Sequence, residues 1–408
     1  MRTAEIRPLT GLRILAAAWV LSLHLMLRFR DGIDAVIPGL PHLLEPVWKT
    51  GALGVDLFFA LSGYVLTLNY LDRMGSRPSL RFGVRFLWLR LARVWPLYLL
   101  MTVASGLWLA FTAHVGRFPQ TADGKFTAFN MLQQLSLTQL WSQPYFSASS
   151  WDGPAWSISA EWMAYILFPL FALLIFRLRR GTSSRALLWL AIITACGPTM
   201  LLIGSGAFYT PFSWLPRILM QFLAGGLACA AVQRMKITDR TRRRAGWLSL
   251  GILVVIIAGL YLLYPMKQLH LTDPGNLVAV LFLPLVVALA VGRPTLPALL
   301  GTRFFVYLGQ ISFALYLVHE DVFRCWSWVV AQFSLRIPRG VEALVLLALL
   351  AIAFGAAALL FKYVEEPARR WMRGLLDPPR PPPLESGNGH HEIRDGIATS
   401  AVAKVHTS

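Results

Sequence analysis

Charged residues are scarce in this chain, and acidic ones scarcer still. Only 14% of its 408 residues are Asp, Glu, Lys or Arg, against roughly 25% in a soluble domain. With 56% hydrophobic residues and a mean hydropathy of +0.57, that deficit excludes an ordinary soluble globular protein. Cysteine is nearly absent. The three present, Cys196, Cys229 and Cys325, lie far apart in or beside apolar segments, with no CxxC or Cys/His spacing. This excludes a disulfide framework and leaves a metal site without ligands of the expected pattern. No metal is expected, and the cysteines are read as packing residues. There is no internal repeat, no second folded domain and no convincing small-x-small site for a signal peptidase after the first apolar segment.

Basic residues outnumber acidic ones, 38 to 20, for a formal charge of +18. They sit in short loops between apolar runs and not on a separate domain, so nucleic acid is not expected as a partner. The positive-inside rule and attraction to anionic lipid heads account for them.

Apolar runs long enough to span a bilayer core of about 30 Å recur ten times. They cover approximately 9–29, 51–70, 89–112, 156–176, 187–204, 214–233, 246–264, 276–292, 304–320 and 340–361. The eighth and ninth are short, and the ninth is expected to continue past His319. The expected fold is therefore an all-α polytopic bundle of about ten transmembrane helices. Arginine-rich loops follow spans two, four, six and ten, for example Arg73, Arg77, Arg81 and Arg85 after span two. By the charge rule both termini are expected in the cytoplasm. Arg28, Arg30, Arg336 and Arg339 violate it by falling on the outer side. Residues 1–375 read as the membrane domain. From 376 onward Pro378-Pro379-Arg380-Pro381-Pro382-Pro383 and a polar stretch read as a disordered cytoplasmic tail. The longest outer loop, 113–155, contains an apolar and amide-rich piece at 129–137. That piece fits either a re-entrant helix capping a site or a plain amphipathic connector.

Ionisable residues inside such spans are functional candidates by default. His24 lies eleven residues after Arg13, which on a helix is about three turns and roughly 16 Å along one face. Counting depth from the expected ends of each span, His24, Asp56, Glu161 and His319, the last with its neighbour Glu320, all fall near one outer level. A histidine beside a carboxylate is the usual general-base arrangement, so His24 is expected to be oriented by Glu161 or Asp56. On the other side Arg13 stands with Arg90 and Arg93, three apart on a helix face. Guanidinium forks suit phosphates, although a positive-inside flank alone also places arginines there.

Several segments resemble the acyltransferase 3 family of membrane-bound O-acyltransferases. These are Arg13 and His24 in their Arg-x10-His spacing, Gly54-Val55-Asp56-Leu57-Phe58-Phe59-Ala60-Leu61-Ser62-Gly63-Tyr64, and Arg90-Leu91-Ala92-Arg93. Trp156-Ser157-Ile158-Ser159-Ala160-Glu161 has Ile where the family has Leu. Gly309-Gln310-Ile311-Ser312 with Leu315-Tyr316-Leu317-Val318-His319, and Glu365-Glu366-Pro367, complete the set. The resemblance covers roughly residues 8–373.

That resemblance implies transfer of an acyl group, often acetyl, from cytoplasmic acyl-CoA to a hydroxyl of a carbohydrate, glycolipid or glycosylated natural product, at a bacterial cell membrane. It implies His24 as catalytic base, and Arg13, Arg90 and Arg93 as donor-binding residues. Trp156, Ser157, Ser159, Tyr316 and His319 would shape the site beside Glu161. Acyl-CoA enters as donor substrate, and the partners are the hydroxyl acceptor and membrane lipid. The competing class is a proton-coupled transporter or flippase, which also buries His, Asp and Glu. Against it stands the lack of paired halves with matching broken helices. An acyl-serine intermediate at Ser157 or Ser159 is disfavoured because no Gly-x-Ser-x-Gly turn surrounds either.

Overall fold

In the computed structural model, residues 5–115, 126–146, 149–264 and 274–376 are described, without the side chains of 339 and 340. The Pro-rich tail expected from 376 therefore lies, from 377 on, outside the described residues. Helices account for the regular structure throughout, and no strand occurs among the described residues.

The chain opens with α1 (Arg7–Val36), whose Pro8 occupies the first turn, where a missing N–H costs nothing. Two short helices, α2 (Leu40–Leu43) and α3 (Glu45–Lys49), lead into α4 (Leu53–Ser76) and α5 (Leu80–Val115). After α6 (Ala128–Leu135) come α7 (Trp156–Gly181), α8 (Ser184–Ser205), α9 (Trp214–Val232) and α10 (Asp239–Leu263). A 3-10 turn at Pro274–Leu281 then continues into α11 (Phe282–Val291), so the eighth expected span is a composite of two helix types. The short α12 (Leu296–Leu300) precedes α13 (Arg303–Gln332) and α14 (Arg339–Leu360). A π turn at Phe361–Glu365 leads into α15 (Glu366–Gly374).

Each of the ten expected spans falls on a helix. Nine among the described residues are long and apolar enough to cross a membrane, which makes this a polytopic membrane protein. α13 is 30 residues long but does not meet that standard of apolarity. It carries His319, Glu320, Asp321 and Arg324 across its middle.

Close backbone approach at glycines sets the helix crossings, as is usual where lipid removes the hydrophobic drive between helices. A Cβ on Gly309 of α13 would lie 1.9 Å from the Thr10 carbonyl oxygen of α1. A Cβ on Gly63 of α4 would lie 1.9 Å from the Phe222 carbonyl oxygen of α9. The first contact fixes α1 against α13, and these two helices carry His24 and His319.

The segment between α5 and α7 does not stay at the bundle's end. Leu137 and Leu140 are buried. The Tyr98 hydroxyl donates to the Gln134 carbonyl at 2.7 Å, and the Trp95 indole donates to the Leu135 carbonyl at 3.0 Å. Both donors lie halfway along α5. The segment thus folds back among the helices, and α7 begins inside the bundle.

Gly63→Val should destabilise the protein by about 1–3 kcal/mol through overpacking, whereas Gly355→Val in α14, with nothing within 4 Å of its Cβ position, should not. Thermal unfolding of the two variants in detergent checks the difference.

Candidate active site

Two groups of polar side chains lie along α1, joined by Tyr316. The first lines a cavity of about 520 Å³. Arg13 of α1, Arg90 and Arg93 of α5, and Arg369 and Arg373 of α15 all face it. Arg13 makes no hydrogen bond or ion pair among the described residues, and its guanidinium lies 5.9 Å from the centre of the Phe58 ring. Arg93 is ion-paired to buried Glu365. Arg90 donates to the Tyr70 hydroxyl at 3.3 Å. The Nε of Arg90 and the Nε of Arg369 are buried without a partner. A buried donor without an acceptor costs about 1–3 kcal/mol, so an anion in this cavity would relieve that cost. Arg369 and Arg373 carried no such signal in the sequence, where they read as flanking positive charge.

Glu161 belongs to this cavity and not to the histidines. Its carboxylate accepts from the Ser62 hydroxyl at 2.5 Å and the Tyr165 hydroxyl at 2.6 Å. Ser157 and Tyr316 close the same cavity, their hydroxyls 2.8 Å apart, and Tyr316 donates to the Pro154 carbonyl at 2.8 Å.

The second group centres on Glu320. Its Oε2 accepts from His24 Nδ1 at 2.9 Å. Its Oε1 is held by Arg28 and by Arg324 Nε, the latter at 3.2 Å. Because the carboxylate accepts from Nδ1–H, His24 Nε2 carries the lone pair, a tautomer assigned from this bond. The His24 side chain is 23% exposed, so that nitrogen is reachable, while Glu320 is 5% exposed. The His319 ring stands edge-on to His24 with centroids 5.1 Å apart. His319 Nδ1 bonds the Leu315 carbonyl at 3.0 Å, and its Nε2 is buried without a partner. The Tyr316 ring lies 6.2 Å from that of His319, so Tyr316 touches both groups.

His24, His319 and Glu320 offer ligand atoms within 4.8 Å of one another, near enough for a small cation. Two arginines already neutralise the carboxylate, which opposes cation binding there. Beside this group Asp321 accepts from the Ser105 hydroxyl at 2.6 Å. Asp152 is buried with neither carboxylate oxygen hydrogen-bonded. Burial pushes the Asp152 carboxyl well above its usual range, and the neighbouring Asp321 adds to the shift.

Three sequence expectations need correction. Asp56 does not orient His24: it is gripped by Arg217 of α9, with Nε to Oδ1 at 3.0 Å and NH2 to Oδ2 at 2.5 Å, both side chains buried. Glu161 does not either, because the fold-back of 126–146 and 149–155 starts α7 inside the bundle and moves Glu161 to the Arg13 cavity. The common level expected for His24, Asp56, Glu161 and His319 therefore reduces to His24 and His319. Ser159 and Trp156 hold the folded-back segment. The Ser159 hydroxyl donates to the Leu137 carbonyl at 2.8 Å, and Trp156 stacks on Phe146 with centroids 4.4 Å apart. The sequence assigns no role to Arg28 or Arg324, and it places Glu320 beside His319 without pointing to it as the partner of His24. Arg28 had a legible signal, since it breaks the charge rule four residues after His24 on the same helix face.

The geometry defines a membrane-embedded site with a reachable histidine base at one level and an arginine-lined anion cavity at another. The acyltransferase-domain family model of acyltransferase 3 matches residues 7–363, and the chain belongs to that family. It is similar to acyltransferase MdmB of Streptomyces mycarofaciens, 26% identical over 390 residues, or 90% of this chain and 93% of that one. It is also similar to the putative peptidoglycan O-acetyltransferase YrhL of Bacillus subtilis (strain 168). That match is 26% identical over 184 residues, covering 43% of this chain and 28% of that protein. No solved structure matches. The protein is an O-acyltransferase.

Asp56→Ala should leave Arg217 buried and unpaired, costing about 3–5 kcal/mol, and an Asp56→Leu/Arg217→Met double variant should recover most of it. Folded yield by size-exclusion chromatography reads both. A catalytic role for Asp56 would instead show as lost turnover in a fully folded double variant.

Proposed function

We propose that the enzyme moves an acyl group, acetyl in the simplest case, from acyl-CoA to a hydroxyl of a carbohydrate, glycolipid or glycosylated natural product. The observation that carries this reading is the His24–Glu320 bond, which leaves a reachable Nε2 base in a cluster ringed by buried charge. The relative named as a peptidoglycan O-acetyltransferase is consistent with a hydroxyl acceptor and an acetyl donor.

The donor's phosphates would lie on Arg13, Arg90, Arg93, Arg369 and Arg373, which face one cavity and of which Arg90 and Arg369 each have a buried Nε without a partner. The pantetheine arm would run toward Ser157 and Tyr316, bringing the thioester toward the histidines. His24 Nε2 takes the proton of the acceptor hydroxyl as its oxygen attacks the thioester carbonyl. The C–S bond breaks, the ester forms, and the coenzyme A thiolate recovers the proton from the imidazolium. Glu320 holds the imidazole in the required tautomer and offsets its transient charge. Arg28 and Arg324 keep Glu320 ionised and in place. Because the arginine-rich loops after spans two, four, six and ten lie at the Arg13 end of α1, that end faces the cytoplasm and the chain resides in the cell membrane.

His24→Ala should lower transfer by about 10²–10⁴-fold without changing acetyl-CoA affinity. Arg90→Ala and Arg93→Ala should each weaken acetyl-CoA binding by about tenfold or more, the scale of a lost charge-assisted contact. Free coenzyme A thiol and calorimetric binding measure the two effects. Near-normal turnover in purified His24→Ala would overturn the assignment. Substrate-dependent proton uptake in liposomes, with no thiol released for any acceptor, would favour a carrier.

A further inference from the structure

A second cavity, of about 580 Å³, lies at the opposite end of α1 from the arginine-lined one. Its wall begins at Met26, two residues past His24, and includes Phe29, where α1 departs from helical geometry (φ −125°, ψ 16°). Arg28 faces this cavity and is also bonded to Glu320, so the cavity adjoins the His24 cluster through one shared side chain. Trp48 and Trp326 contribute indole surface. Asp31 and Glu342 face the same space, and Glu342 Oε2 is buried without a hydrogen-bond partner.

We propose that this cavity binds a neutral hydroxylated amphiphile, its apolar body against the indoles and its hydroxyls toward Arg28 and Glu342. Resting on the acyl-transfer reading above, that ligand is the acceptor, and His24 lies between donor and acceptor cavities. The lining selects this chemistry. Indole faces pack on the C–H surface of a sugar or an aliphatic ring, with a polar edge left for hydroxyls. A buried carboxylate oxygen accepts only, so it requires donors, which hydroxyls supply. A phospholipid phosphate is disfavoured, because Asp31 and Glu342 repel it and Arg28 is already committed to Glu320.

The test uses radiolabelled octyl β-D-glucoside as probe and full-length protein in lipid nanodiscs. Saturable binding is expected. Trp326→Ala should weaken it by about tenfold or more, the scale of a lost aromatic anchor. Ser327→Trp, which fills the cavity, should abolish it, with the thermal midpoint of each variant reporting that it is folded. Binding unchanged in both folded variants, or displaced equally well by octane, which has no hydroxyl, as by octyl glucoside, would overturn the site and leave a lipid-filled groove. Glucoside binding without coenzyme A release from acetyl-CoA would overturn the acyl-transfer reading while leaving the site standing.

Discussion

Everything in the site depends on one buried carboxylate. Glu320 is received by His24 and Arg28 from α1 and by Arg324 from its own helix. A carboxylate so placed is tolerable only with paired charge and well-made hydrogen bonds, since its desolvation penalty is several kcal/mol. Meeting that requirement ties together α1 and α13, which bear His24 and His319. It also sets the His24 tautomer and leaves one nitrogen for chemistry. The backbone approach at Gly309 and Thr10 lets α1 and α13 lie close enough for these side chains to meet. Packing by small residues at one level thus supports electrostatics about three or four turns away.

The same helix divides labour along its length. Arg13 faces an arginine-lined cavity. His24, about 16 Å further along the axis, faces the Glu320 cluster, and Arg28 adjoins a cavity with aromatic and acidic walls. The phosphate-bearing donor and hydroxylated acceptor proposed above differ in charge, and the two cavities differ in the same way. Tyr316, bonded to Ser157 and Pro154 and adjoining His319, stands where the arginine-lined cavity meets the histidines. The folded-back segment between α5 and α7 supplies Pro154 and, through the Trp151 carbonyl, a partner for Arg324 at 2.9 Å.

The ten spans were legible because hydropathy over a bilayer-length window is a strong signal. His24 and His319 were legible because ionisable groups are rare in such windows. Depth was not legible where it depended on tertiary structure. Glu161 was placed by assuming that α7 starts at the membrane surface, and the buried Leu137 and Leu140 with the Tyr98 bond to Gln134 show that it starts within the bundle. Asp56 looked available because Arg217 sits at the head of a different span, 161 positions away, and no local pattern links them. Glu320 sits next to His319 in the sequence, but which of several carboxylates a histidine chooses is decided by helix rotation and crossing. Arg28 was visible only as an exception to the charge rule.

The most direct test of the account is the kinetics of Glu320→Gln, which keeps the shape of the side chain and removes its charge. Acetyl-CoA-dependent thiol release and acetyl-CoA affinity should be measured on the same folded preparation. The account predicts that kcat falls by about 10²-fold or more while donor affinity is unchanged. Normal turnover, or a loss confined to donor binding, would contradict a Glu320-oriented His24 base.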